Sequence, residues 1–219
     1  MNFSEEERRE RALKIFEILK SEYPNARCLL DYKNPFELLV ATILAAQCTD
    51  ERVNMATVNL FKEYPNPESM AEAEREKLEA LIRSTGFYRN KAKSLINVSK
   101  ALVERYSGKL PETVEELASL PGVGRKTGNV VAGNCFGKPA IIVDTHVKRV
   151  ALRLGLCRET QPDKIERELK KLILEKDETH FSYVLNFHGR YVCKARKPSC
   201  GTCPVKDLCP SSETGGQIL

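Results

Sequence analysis

Four cysteines fall within residues 193–209, CKARKPSCGTCPVKDLC, with the spacing C-x6-C-x2-C-x5-C. Thiols crowded in this way suit metal chemistry, and the loop could enclose an iron-sulfur cluster or a zinc ion. Structural zinc sites tend to use two tight cysteine pairs. Here only Cys200 and Cys203 make one, which favours the cluster over zinc and over an accidental grouping. Lys194, Arg196, Lys197 and Lys206 stud the same loop, so it can also face phosphates.

A second chemical stretch is LPGVGRKTGNV, residues 120–130. Gly122 and Gly124 leave backbone amides uncovered just where a helix begins, and those amides with the helix dipole favour an anion. The expected ligand is a phosphate of a sugar-phosphate backbone, with Arg125, Lys148 and Arg149 adding charge contacts. A tight structural turn is the plainer reading of the same glycines. The G-x4-GK[ST] spacing of a P-loop is absent.

Lys126 stands just inside that helix, beside Arg125, where dipole and neighbour both favour the free amine that a nucleophile needs. Position alone would make it an ordinary solvated charge. Asp144 follows the apolar Ile141-Ile142-Val143 at an expected helix start. There it can accept a proton or stabilise a developing cation, or serve only as a helix cap.

The elements that must hold these residues read as helices almost throughout. Ser4 and Glu7 form a capping box, with Ala12, Ile15, Phe16 and Leu19 on one face and a stop at Tyr23-Pro24. A helix over 34–47, capped by Asn34, is apolar on all sides and should be central. Further helices are expected over about 50–62, 71–84, 89–106, 113–119, 125–135, 162–175 and 179–191, and one from Asp144 or Thr145 after an extended AIIV. No segment sustains a period of two, and the last ten or so residues read as a frayed end.

Composition sets outer limits. The chain has 219 residues, 42% apolar, with 35 Lys and Arg against 30 Asp and Glu, so an anionic partner is allowed but not demanded. The opening MNFSEEERRERALK has no apolar run and no stretch is long and apolar enough to span a membrane, which predicts a cytosolic protein without membrane attachment. The remaining cysteines, Cys28, Cys48, Cys135 and Cys157, are expected to be small core residues.

Taken together, LLVATILAAQCTD, STGFYRNKA, LPGVGRKTGNVV, VDTHVKRV and the cysteine tail resemble, in order and from Phe36 to Cys209, the endonuclease III family of helix-hairpin-helix DNA glycosylases. The resemblance implies an all-α fold of two helical domains flanking a DNA-binding cleft. A six-helix barrel with its helix-hairpin-helix near 113–135 would occupy 28–138. A discontinuous domain, 1–27 with 139–219, would carry a [4Fe-4S] cluster on Cys193, Cys200, Cys203 and Cys209. It further implies Lys126 as the nucleophile and Asp144 as the catalytic carboxylate. The DNA contacts it implies are Gln47 filling the hole left by a flipped base, Phe87 as a second wedge in a place that is often leucine, Gly122, Gly124, Arg125 and Lys148 at phosphates, and His146 in the pocket. The implied activity is base-excision repair of oxidised or ring-saturated pyrimidines in double-stranded DNA, with strand cleavage at the abasic site, by a cytoplasmic monomer on chromosomal DNA. The rivals are a monofunctional adenine or mismatch glycosylase, which would lack Lys126, and a non-catalytic DNA-binding module.

Overall fold

The computed structural model describes residues 3–212. They form two compact units, one from 3–28 with 139–212 and the other from 29–138. Among the described residues there are α-helices and short 3-10 turns and no strand. The expected frayed end lies outside the described residues from 213 onward.

The first helix, α1, is Glu5–Glu22; Ser4 and Glu7 close the expected capping box, and Ala12, Ile15, Phe16 and Leu19 are its buried face. The second unit then runs through α2 (Pro35–Leu44), α3 (Asp50–Glu63), α4 (Pro67–Ala71), α5 (Arg75–Ile82), α6 (Tyr88–Tyr106), α7 (Val114–Ala118) and α8 (Arg125–Cys135). The first unit resumes with α9 (Thr145–Arg153), α10 (Pro162–Lys170) and α11 (Glu178–Tyr191).

In the second unit, α2 is buried on nearly every side, with Leu38, Leu39, Val40, Ala41 and Leu44 at 0% exposure. Such a helix can only be held from all round, and Leu60, Met70, Leu78, Ile82, Leu95 and Leu102 close over it and one another as the core. The reading of α2 as far as residue 47 is too long. It ends at Leu44, and a turn follows in which Gln47 takes a positive φ of 53°. The helix expected over 71–84 starts later, as α5 at Arg75, and runs on into a 3-10 turn at Arg83–Thr85; before it stands an unexpected short helix, α4, capped by Asn66 with Pro67 at its first position. Pro67 was the signal for that extra start.

In the first unit, α1, α9, α10 and α11 share a core of Phe16, Leu19, Val147, Val150, Leu169, Phe181 and Leu185, which also takes Val205 from the cysteine loop. The helix expected over 162–175 stops at Lys170, and a 3-10 turn at Glu175–Asp177 leads into α11. Residues 140–143 are buried and outside any helix, and Asp144, extended, caps α9 as the sequence predicts. Of the scattered cysteines only Cys157 is buried. Cys28, Cys48 and Cys135 lie half-exposed, because each sits at a turn or helix end rather than within a packed face.

Candidate active site and cysteine loop

Within the second unit, α7 and α8 make the hairpin. Leu120 and Val123 turn inward at 2% and 5% exposure and pin the connecting turn, leaving Pro121, Gly122 and Gly124 at the surface. Gly122 has φ 77°, a conformation that side chains avoid, whereas Gly124 is extended at φ −90° and serves as the N-cap of α8. Gly124 supplies no side-chain cap to the start of α8, and a helix N-terminus capped by glycine is a setting that suits an anion. A methyl on Gly124 would meet nothing within 4 Å. The position is open towards solvent, as an approach path for a phosphate requires. Lys126 is exposed on the first turn of the same helix, and Arg125 makes a 3.6 Å ion pair with Glu115 at the surface.

Two more turns of this unit carry sequence-predicted residues. Gln47 is exposed after the end of α2, and Phe87 is 64% exposed at the N-cap of α6. Both are left-handed, with φ of 53° and 49°. Non-glycine residues rarely take this conformation unless the surroundings impose it, and it aims each side chain away from the body of the unit.

Within the first unit, Asp144 is held from several directions. Its Oδ1 accepts the amides of His146 at 2.9 Å and Val147 at 2.7 Å; its Oδ2 accepts Asn186 Nδ2 at 2.7 Å and lies 3.1 Å from His146 Nδ1. These donors and the start of α9 make a setting for an anion in a fixed orientation. Asn186 is itself fixed by Arg190, whose Nε donates to its Oδ1 at 2.9 Å. Helix α11 reaches Asp144 because Gly189 presses on α9: a Cβ there would stand 2.9 Å from His146 Cβ. Sequence reasoning missed Asn186, and its only signal was an amide four residues before Arg190, a spacing that puts the two side chains on one helix face.

Cys193, Cys200, Cys203 and Cys209 line one pocket together with Arg153 and His188. No three His, Cys, Asp or Glu side chains among the described residues gather tightly enough for a single ion. The four thiols nonetheless face one pocket, which is what a polynuclear cluster requires of its ligands. Burial pushes the Cys203 thiol up to about 11 and raises Cys209 as well, so thiolates here require a compensating cation. The donor set fits an iron-sulfur cluster.

The loop is tied down by arginines. Arg153 donates to the carbonyls of Lys194 at 2.7 Å and Ala195 at 3.1 Å, with Nη1 3.5 Å from Cys193 Sγ. Arg149 donates to Cys193 O at 3.0 Å and Gly189 O at 2.8 Å, and Arg11 donates to the carbonyls of Leu154 and Leu208. His188, left without a role by the sequence, is buried with Nδ1 3.3 Å from the Tyr23 hydroxyl and Nε2 3.6 Å from Cys203 Sγ. Burial keeps Tyr23 protonated, at about 12. The His188 imidazole thus bridges the Tyr23 hydroxyl and the Cys203 sulfur through its two ring nitrogens.

The chain matches two family models: the HhH-GPD superfamily base excision DNA repair protein over residues 40–175, and the iron-sulfur binding domain of endonuclease III over 193–209. It is 52% identical to endonuclease III of Synechocystis over 94% of both chains, and 39% identical to that of Escherichia coli K12 over 92% of this chain and 95% of that one. Among solved structures it is similar to a non-covalent endonuclease III-DNA complex, with a TM-score of 0.90 and 42% identity over 94% of this chain and 97% of that one. It is likewise similar to a trapped endonuclease III-DNA covalent intermediate, with a TM-score of 0.91 and 41% identity over 95% and 99% of the two chains. No helix among the described residues is long and apolar enough to cross a membrane. The hairpin, the cysteine loop and these likenesses converge: the chain belongs to the endonuclease III family of iron-sulfur DNA glycosylases and AP lyases.

Proposed function

We propose that the protein excises oxidised or ring-saturated pyrimidines from double-stranded DNA and cleaves the strand 3′ to the resulting abasic site, with Lys126 as nucleophile. The observation that carries this reading is an exposed lysine on the first turn of α8, next to amides that Gly124 leaves uncapped. Those amides take a backbone phosphate, and Arg125 and Lys148 supply further cationic contacts. Gln47 fills the hole left by the extruded nucleotide and Phe87 wedges between bases, while His146 lines the pocket. Ring-saturated pyrimidines stack poorly and flip at low cost.

The amine of Lys126 attacks C1′, and the bond from C1′ to the base breaks as the base departs with a proton. Loss of the ring oxygen from C1′ gives a Schiff base, which acidifies the C2′ proton. Its removal expels the 3′ phosphate by β-elimination. Asp144, held rigid by Asn186 and the start of α9, stabilises the cationic sugar and assists proton movement. Cys193, Cys200, Cys203 and Cys209 hold the cluster, whose contribution is to order the basic loop between them. The protein acts as a monomer on chromosomal DNA in the cytoplasm.

Borohydride trapping on a duplex with one thymine glycol tests the reading. A covalent adduct with the wild type that Lys126→Ala lacks is the expected result. Free base released without any adduct would replace this reading by a monofunctional glycosylase, and no reaction from cluster-loaded protein would leave only a binding module.

A further inference from the structure

We propose that Lys91 is a positioning residue for lesion recognition: its one ammonium holds both turns that insert side chains into DNA. The inference rests on the insertion roles given above to Gln47 and Phe87. Lys91 lies on the first turn of α6 and is 5% exposed. Its Nζ donates to Leu44 O and to Thr85 O, each at 2.8 Å. Leu44 is the last residue of α2, three before Gln47; Thr85 ends the 3-10 turn, two before Phe87. Both carbonyls are among those that a helix end leaves without an internal donor. The backbone amide of Lys91 also bonds Phe87 O at 3.1 Å, so this residue grips the second turn twice.

A mere tie between helix ends is a poor account of this arrangement. Burying a cation against carbonyls alone is unfavourable, and burial lowers the pKa of Lys91. Even as a neutral amine it would keep two N–H donors, one for each carbonyl. Among the described residues only Gln47, Phe87, Ser107 and Lys197 are non-glycine with positive φ, and the Lys91 side chain serves the turns of the first two. A left-handed side chain holds its aim only where the neighbouring backbone is fixed. Lys91 fixes both with one atom, so Gln47 and Phe87 present themselves at a constant separation. Distance between the two inserted groups is what a distorted base pair must match.

The test uses cluster-loaded Lys91→Met and a duplex with a tetrahydrofuran abasic analogue beside 2-aminopurine, whose fluorescence rises when its stacking is broken. Lys91 is buried and touches no phosphate, so affinity for undamaged duplex should stay within about twofold of wild type. Preference for the abasic duplex should fall at least about tenfold, and the 2-aminopurine rise should shrink at least about fivefold. Wild-type preference together with a wild-type rise would overturn the proposal. A Gln47→Ala, Phe87→Ala double variant separates the two ideas. If it loses the rise while Lys91→Met keeps it, the role of Lys91 is wrong; if it keeps the rise, the insertion roles are wrong and the proposal falls with them. Should Lys91→Met not fold, amide exchange in Lys91→Gln takes its place. Residues 45–48 and 85–88 should exchange at least about tenfold faster than in wild type, and unchanged exchange would refute the clamp.

Discussion

Gly122 and Gly124 stand two residues apart in the hairpin, and their replacement by alanine should give opposite phenotypes. At Gly122 the φ of 77° costs an L-residue roughly 1–2 kcal/mol, and the new Cβ would lie 3.2 Å from Ser94 Cβ, forcing a small shift. The lower entropy of the unfolded chain returns about 0.4–1 kcal/mol, leaving Gly122→Ala destabilised by about 1 kcal/mol, or about 2–4 °C in Tm at this chain length. At Gly124 the φ of −90° suits alanine and nothing lies within 4 Å. Alanine is a poorer N-cap than glycine by about 0.5 kcal/mol, and the unfolded-state gain offsets that, so Gly124→Ala should melt like the wild type. Its methyl, however, stands where a phosphate must approach the α8 amides. Losing one charge-assisted hydrogen bond is worth about 1.5–3 kcal/mol, so affinity for an abasic-analogue duplex should fall about tenfold or more. The amides are neutral, so the slope of log affinity on log salt should stay unchanged. Calorimetry and fluorescence anisotropy at several salt concentrations decide the matter. Wild-type DNA affinity in Gly124→Ala, or a loss of stability equal to that of Gly122→Ala, would refute the assignment of the amides to phosphate.

Asn186→Leu removes one donor from Asp144; single-turnover excision should slow about tenfold or more while DNA affinity holds, and an unchanged rate would leave the hydrogen bond without a catalytic part. Arg153→Met frees the carbonyls of Lys194 and Ala195, so purified protein should carry less cluster, read as a lower ratio of visible to 280 nm absorbance; full loading would show that the loop does not need this tie. His180 has a lowered pKa, from burial first and Lys20 second, so below about pH 6.5 the unfolded chain takes up a proton that the folded chain resists. Stability from this group is therefore present above that pH and lost as pH falls through the folded value. His180→Phe, which can keep the edge contact with Phe16, should flatten the fall in urea midpoint below pH 6.5, and an unaltered slope would rule His180 out as its source.

What the sequence disclosed was local. Ser4 with Glu7, Asn34 before Pro35, and Asp144 before α9 were readable because a cap and its amides lie within three residues of one another. The cysteine loop was readable because its four thiols are near in sequence. Lys91 and Asn186 were not, since Leu44 and Asp144 lie 47 and 42 residues from them, and the i, i+4 pairing of Asn186 with Arg190 points to no carboxylate. The left-handed turns at Gln47 and Phe87 were equally hidden, because neither is the Gly or Asn that announces such a conformation. Helix α4 went unread although Asn66-Pro67 is a cap followed by a first-turn proline, because its five residues are too few to show an apolar period. Tertiary hydrogen bonds, not propensity, set the parts of the site that the sequence left dark.

The cysteine loop separates its cations by task, and the separation bears on how a chain of modest net charge can hold DNA. Arg11, Arg149 and Arg153 reach backbone carbonyls of the loop or of the helices beneath it. An acidic side chain in those places would bind arginine more strongly, yet it would add negative charge beside four cysteines and subtract from the field of the loop. Carbonyl acceptors avoid both effects. Arg153, close to Cys193 Sγ, would offset thiolate charge if Cys193 holds the cluster as proposed. Lys194, Arg196, Lys197 and Lys206 remain exposed, opposed within 193–209 only by Asp207. The total of +5 understates this local excess, because most acidic residues lie elsewhere in the chain. A rigid, unneutralised patch attracts phosphates without reading bases, and rigidity matters because a mobile lysine loses side-chain entropy on each contact it makes. Ordering by the cluster and by arginine-to-carbonyl bonds therefore has one result: the loop is stiff before DNA arrives and still carries its charge.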